Sequence, residues 1–369
     1  MRQSPSRKQS LRNGQTPVGQ GHPVARTAGV VLRTEPWVGR TWQSGGPREG
    51  GTEVVRVAAV QEPGVYFDRD GSIARAVDLV ERAAADGVEL MVFPEAWIPG
   101  YPDFVWGLPP SNGPGDVERL YLQLFANAVD LASDQLAPIQ AAAREHHVVV
   151  VMGINERASE MSAGTLFNTA VTIDATGEIL NVHRKVMPTN GERTIWGFGD
   201  GRGLNVVDTA VGRVGVLLCW ENFMPLARAA IYSQNVEIYC APTADHRENW
   251  LATMQHIGRE GSTWVIGVGP AVEDRDIPDD LIAREQIAPG DGEWLAPGNG
   301  IVCSPTGEVV AGPMRREKGF LIADIDLTEV RAARRTFDSV GHYSRPDIFQ
   351  LNVNRSERTP VSFPPPDAR

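Results

Sequence analysis

The chain has 369 residues, of which 42% are hydrophobic and 22% charged, with a net charge of −11, which is an ordinary globular composition with room for a large core and excludes a fibrous or wholly disordered chain. The acidic balance argues against nucleic acid as a partner, and no apolar run approaches the ~20 residues that cross a bilayer, so neither a membrane nor a secretory route is expected. Three cysteines, Cys219, Cys240 and Cys303, leave one unpaired under any bridging scheme and form no close-spaced pair, which argues against a disulfide framework or a zinc site and fits a reducing cytoplasm.

Residues 1–53 differ from the rest. They carry eight Lys/Arg against three acids, a surplus of five positive charges that leaves sixteen negative ones on the remainder. This Ser/Gly/Gln/Arg-rich stretch has no apolar periodicity to offset its ordering entropy, and is expected to be a disordered extension; an organelle transit peptide or a start codon placed too far upstream would look alike.

From Val54 the texture changes. VVRVAAV reads as a buried strand and Ser72–Gly87 as a helix presenting Ile73, Val77, Val80 and Ala84 on one face. ELMVFPE, ending at Glu95, is a strand running into a turn. Two helical stretches follow, divided near Pro138, and Val148–Asn155 returns to strand. Phe167–Lys185 reads as a hairpin turned at Ala175-Thr176-Gly177, and NVVDTAVGRVGVLLCW as another turned at Gly212.

A helix over Pro225–Gln234, a strand VEIYCAPTA, a helix ENWLATMQHIGRE and a strand TWVIGVG continue the alternation. Asp174–Leu180 (DATGEIL) echoes Ser304–Val310 (SPTGEVV), as two related halves would, although Thr-Gly-Glu is also common hairpin chemistry. Glu273–Gly298, with Pro278, Pro289 and Pro297, reads as a long surface excursion. The tail after Gln350 is expected to be loosely held.

Cys219 stands where the apolar strand RVGVLL breaks into WENFMPLARAA, with Pro225 suited to a helix's first turn. Backbone N–H groups at such a strand-to-helix junction favour thiolate, the nucleophilic form; a small buried core residue, the reading that suits Cys240 and Cys303, is the alternative. Glu95 in FPEAWIPGYPDF ends a strand, where a carboxylate points into a cleft or sits in a solvated turn. Buried beside Phe93, Trp97 and Tyr101, its pKa would rise towards that of a general base. Lys185 enters a Gly/Pro-rich loop, MPTNGERTIWGFGDG, that also holds Glu192. Trp97, Tyr101, Trp106, Trp196 and Trp220 cluster around these segments, as pocket wall or as plain core.

FPEA with Glu95, HRK-x-MPT with Lys185 and LLCWEN with Cys219 together resemble the nitrilase superfamily of carbon–nitrogen hydrolases, whose Cys-Glu-Lys triad occurs in this order; the likeness runs from about Val54 to Gln350. Cys219-Trp220-Glu221, ERTIWGFGDG and GHYSRPDIF resemble its nitrilase and cyanide-hydrolysing branch. The resemblance implies a single α/β domain over residues 54–350, a four-layer αββα sandwich flanked by the extension and a tail over 351–369. It implies Cys219 as nucleophile, Glu95 as general base, Lys185 as stabiliser of the tetrahedral intermediate and Glu192 as a second glutamate positioning lysine or substrate. Trp220, Glu221, Trp196 and Tyr101 are the expected substrate contacts. It further implies a small nitrile as substrate, no metal or organic cofactor, and homo-oligomers in which dimers extend into spirals. Cyanide hydratase or dihydratase, an amidase or carbamoylase of the superfamily, and an inactive scaffold of this fold are the alternatives. Asn190-Gly191, Phe198 and His246 depart from the branch's pattern and point to an atypical pocket.

Overall fold

The computed structural model describes residues 53–109, 114–159 and 164–357. The expected disordered extension, apart from Glu53, and the tail beyond residue 357 lie outside the described residues.

In the first half of the chain, β1 (Val54–Gln61) leads to α1 (Arg69–Ala85), β2 (Leu90–Val92), the short α2 (Phe104–Gly107), α3 (Asp116–Asn127), α4 (Ala137–His146), β3 (Val149–Arg157) and the hairpin of β4 (Leu166–Ile173) and β5 (Ile179–Arg184). The helix expected from Ser72 starts three residues earlier, because the Asp68 side chain caps it by accepting from the Gly71 N–H at 2.9 Å. Its buried face is Ile73, Ala76, Leu79, Val80 and Ala83, with Val77 and Ala84 partly buried against the same core. Pro138 opens α4 instead of ending a helix, since its missing N–H costs nothing in a first turn.

The second half runs β6 (Val206–Thr209), β7 (Gly212–Val216), α5 (Pro225–Tyr232), β8 (Ile238–Pro242), α6 (Glu248–Gly261), β9 (Trp264–Val268), β10 (Ala271–Glu273), α7 (Arg284–Ile287), β11 (Trp294–Pro297), β12 (Gly300–Cys303), β13 (Val309–Met314), β14 (Gly319–Asp326) and α8 (Thr328–Thr336). Two six-stranded sheets result, ordered β14-β1-β2-β3-β4-β5 and β13-β12-β9-β8-β7-β6.

The two-residue alternation of the strands builds the layers. Val55, Val57 and Ala59 of β1 meet Ile238 and Cys240 of β8 and Trp264, Ile266 and Val268 of β9 between the sheets. The opposite faces turn outward: Ala58 and Val60 pack under α1 and α4, and Tyr239 and Ala241 under α5 and α6. This is the expected αββα sandwich.

The halves share one topology. β1, β2 and β3 are parallel, followed by antiparallel β4 and β5; β7, β8 and β9 are parallel, followed by antiparallel β12 and β13. An antiparallel edge strand, β14 or β6, completes each. The echoed heptapeptides are the equivalent hairpin turns and carry the same bonds: Asp174 N to Glu178 O at 2.8 Å and Ser304 N to Glu308 O at 2.9 Å.

One expectation needs correcting. The 273–298 excursion is no mere surface loop: β10 and β11 pair as a ribbon, and Ile277, Leu281 and Ile287 bury against Phe67, Tyr101 and Phe104 in a separate apolar cluster. The described part of the tail, residues 351–357, forms no helix or strand and is exposed, but is pinned by Arg355, which donates to the Leu204 carbonyl, and by a 3.4 Å Arg202–Glu357 ion pair.

Candidate active site

Both sheets end at the same place. Glu95 follows β2, Asn155 lies near the end of β3, Cys219 follows β7, Thr243 follows β8, and Lys185 follows β5, which runs parallel to β3 through two antiparallel steps. Carboxyl ends of parallel strands are where an open α/β sheet leaves a crevice. Here a cavity of about 330 Å³ opens, lined among others by Glu95, Tyr101, Glu192, Cys219 and Trp220.

The chain reaches Glu95 through a tight turn. Gly153 on β3 is required beneath it, because a Cβ there would lie 2.1 Å from the Pro94 carbonyl oxygen. The Asn155 amide donates to the carbonyls of Ile98 (3.2 Å) and Gly100 (2.9 Å), fixing the loop that follows. Glu95 Oε1 accepts from Lys185 Nζ (2.7 Å) and Asn168 Nδ2 (2.7 Å), and Oε2 from the Ala244 N–H (2.8 Å).

Lys185 is fully buried and donates to Glu95 and to Glu192 Oε2, both at 2.7 Å. Glu192 is held in turn by the Tyr101 hydroxyl (2.6 Å) and the Thr189 N–H (2.6 Å). Burial pushes the Glu95 carboxyl above its ordinary value, with Lys185 opposing and Glu192 adding to the shift. Burial works against the Lys185 ammonium, but the carboxylates Glu95 and Glu192 overcome it and hold the lysine protonated.

Cys219 adopts φ 47°, a left-handed conformation costly for a residue with a side chain. Its neighbours hold it there: the Asn222 amide donates to the carbonyls of Cys219 (2.8 Å) and Leu217 (3.1 Å), and Tyr239 anchors Asn222 at 2.7 Å. The Thr243 hydroxyl donates to Sγ at 3.2 Å.

The junction does not supply the thiolate anticipated from sequence. Cys219 opens a five-residue 3₁₀ turn, and α5 begins only at Pro225. Burial, then the charges of Glu95 and Glu192, push the thiol well above its ordinary value, although Lys185 pulls the other way. The resting sulfur carries its proton.

The expected substrate contacts divide. Tyr101 and Trp220 line the cavity, as do Trp97 and Trp106 and the atypical Asn190 and His246. Glu221 and Trp196 do not. Glu221 is fully buried and accepts from the N–H groups of Leu218 and Val186, each at 2.7 Å, and sits 2.8 Å from His183 Nε2. Burial opposes its charge, but His183 and these two N–H groups together keep it below the usual carboxylate range. It therefore clamps the Cys219 turn to the Lys185 loop. Trp196 stands behind Tyr101, with ring centroids 5.6 Å apart, and donates to Asn155 at 3.0 Å. Asn168, Thr243, Asn155 and Asn222 were missed by the sequence reading; each carries a polar side chain into an apolar strand end or its turn, which is the signal they offered. The excursion adds Asp276, Leu295 and Ala296 to the cavity wall, beside Val272.

Residues 56–335 match the carbon–nitrogen hydrolase family. The chain belongs to that family. This carbon–nitrogen hydrolase is 41% identical to a nitrilase of Bradyrhizobium diazoefficiens over 79% of its own length and 89% of the relative's. It is 39% identical to a bifunctional nitrilase/nitrile hydratase of Nicotiana tabacum, over 85% and 89%. The fold matches the crystal structure of a carbon–nitrogen hydrolase from Helicobacter pylori with a TM-score of 0.61 at 21% identity, covering 81% of this chain and 97% of that one.

Proposed function

We propose that this carbon–nitrogen hydrolase converts a nitrile to the carboxylic acid and ammonia, with Cys219 as nucleophile, Glu95 as general base, Lys185 as the cation at the reacting nitrogen, and Glu192 as the group that holds Lys185. The observation that carries the reading is that two sequence-distant segments meet in one buried relay, Glu95–Lys185–Glu192, whose two carboxylates line one cavity with Cys219 from a third segment.

A nitrile carbon is a poor electrophile, so attack needs thiolate. Glu95 takes the Sγ proton as sulfur adds to the C≡N carbon, and the nitrogen, negative as it forms beside Lys185, takes that proton back to give a thioimidate. Because thiolate beside two carboxylates is disfavoured at rest, proton transfer and attack belong to one step, triggered by substrate. Water, deprotonated by Glu95, then adds to the thioimidate; the nitrogen is protonated and leaves as ammonia. The resulting thioester is hydrolysed by a second water, which frees the acid and restores the thiol. If sulfur leaves the tetrahedral adduct before nitrogen, the product is the amide.

Hydrogen cyanide is the weaker reading, because a cavity of about 330 Å³ is far larger than a one-carbon substrate requires. Residues 54–350 form the proposed catalytic domain. Exposed apolar side chains at Tyr343, Ile348 and Phe349 support self-association into a homo-oligomer, and three unbridged cysteines suit a cytoplasmic location. Ammonia release from a panel of aliphatic, aryl and arylacetonitriles tests the activity: turnover is expected, and turnover of amides or N-carbamoyl compounds with none of any nitrile would overturn it.

A further inference from the structure

Among the described residues five carboxyl groups line the cavity: Glu95, Asp103, Glu192, Asp245 and Asp276. Four have cations. Glu95 and Glu192 share Lys185, Arg247 Nε donates to Asp245 at 2.9 Å, and Lys318 lies 2.7 Å from Asp276. Asp103 differs. It precedes α2 without capping it, and among the described residues no other side chain pairs with it; its own backbone N–H alone supports its charge. Although it keeps some exposure on the cavity wall, the protein packed round it pushes the carboxyl up to about 7.

A second orphan stands beside it. Tyr66 also lines the cavity and is 7% exposed, and its hydroxyl has no hydrogen-bond partner among the described residues. Burial, and then the Asp103 charge, raise its pKa, while the nearby Asp103 backbone N–H opposes them, so the two groups lie within each other's field and the phenol stays protonated. The ring is fixed by stacking on Phe67 at 4.5 Å and by Gly100, where a Cβ would come within 3.3 Å of it. Buried polar groups are ordinarily satisfied, and a buried orphan hydroxyl beside a carboxyl that has no cation among the described residues marks a place in a largely apolar wall where a ligand supplies the missing bonds.

We propose that Asp103 and Tyr66 form a subsite for a protonated amine, so that the preferred nitriles carry a primary ammonium group. This rests on the nitrile reading above. A cation is the occupant the charges favour, because among the described residues the cavity's other carboxylates already have theirs and Asp103 does not; an alkyl chain would leave both groups unsatisfied. Asp103 accepts two of the ammonium's hydrogens and the Tyr66 oxygen a third.

The test compares ω-amino nitriles of increasing chain length with n-alkyl nitriles of the same lengths, by kcat/KM of the full chain. In the unmodified enzyme at least one amino nitrile is expected to exceed its alkyl counterpart. In Asp103→Asn the amino-to-alkyl ratio should fall by ~10-fold or more, chiefly through KM, and in Tyr66→Phe by ~3-fold, as losses of a charge-assisted and a neutral hydrogen bond. Asp103→Glu should restore part of the ratio. Alkyl preference at every length, or an unchanged ratio in Asp103→Asn, overturns the subsite while leaving the nitrile reading intact. Turnover of neither series overturns the nitrile reading, and the subsite with it. Should Asp103→Asn fail to fold, the unmodified enzyme's preference and Tyr66→Phe decide alone.

Discussion

At Cys219 the chemistry turns on one sulfur among three buried thiols. Cys219→Ala should lower nitrile turnover by at least ~1,000-fold with little change in melting temperature, because the side chain reacts rather than supports. Cys240→Ala, between the sheets, should keep activity and cost ~1 kcal/mol of stability, read by urea unfolding. Lys185→Met should be the most damaging change at the site, since Glu95 and Glu192 would then face each other buried and uncompensated; ~3–5 kcal/mol of stability should go with the activity. The acid, the lysine and the thiol were legible in sequence because each ends a strand in a distinctive motif. Their supports were not, since Asn168 and Thr243 act on partners 73 and 24 residues away that only the folded sheets bring near. Glu221 was misread through adjacency: two residues after Cys219 in a tight turn, its side chain points into the protein and not into the cavity.

The turns and loops at the strand ends set the geometry those side chains need. Gly153→Ala would drive a methyl into the Pro94 carbonyl, shifting the Glu95 turn; a displacement of ~1 Å suffices to cost ~100-fold in kcat. Circular dichroism of that variant should remain native while turnover falls. The excursion could be read from sequence only as a loop, because its prolines mask the wide spacing of Ile277, Leu281 and Ile287, and its burial depends on the aromatic cluster around Tyr101. Leu295 on β11 projects its bulk to the cavity wall, so Leu295→Trp should raise KM for aryl nitriles by ~10-fold or more while sparing short aliphatic ones. An equal effect on both would place β11 outside the substrate's reach.

Across the whole molecule, the repeated sheet topology was foreshadowed by one pair of heptapeptides, whereas which strands pair across the halves depends on contacts far apart in sequence. The burial of the three thiols stores a pH dependence. Cys219 and Cys240 are raised and Cys303 is pushed up to about 12, all from an ordinary 9.0. An unfolded chain therefore loses these protons at a pH where the folded one keeps them. Their contribution to stability is fully present below the ordinary thiol value and is lost as pH rises from it towards the folded values, at ~1.4 kcal/mol per pH unit per thiol. Urea midpoints should fall steeply above that value, and less steeply in Cys240→Ala.

Turnover by this route passes through a covalent intermediate at Cys219, which mass spectrometry of acid-quenched, actively turning-over enzyme reads directly. The predicted result is an added mass matching the imidoyl or acyl group of the nitrile, located on the peptide carrying Cys219 and missing from Cys219→Ala. Sustained nitrile turnover by Cys219→Ala, or an adduct confined to Cys240 or Cys303, would contradict it.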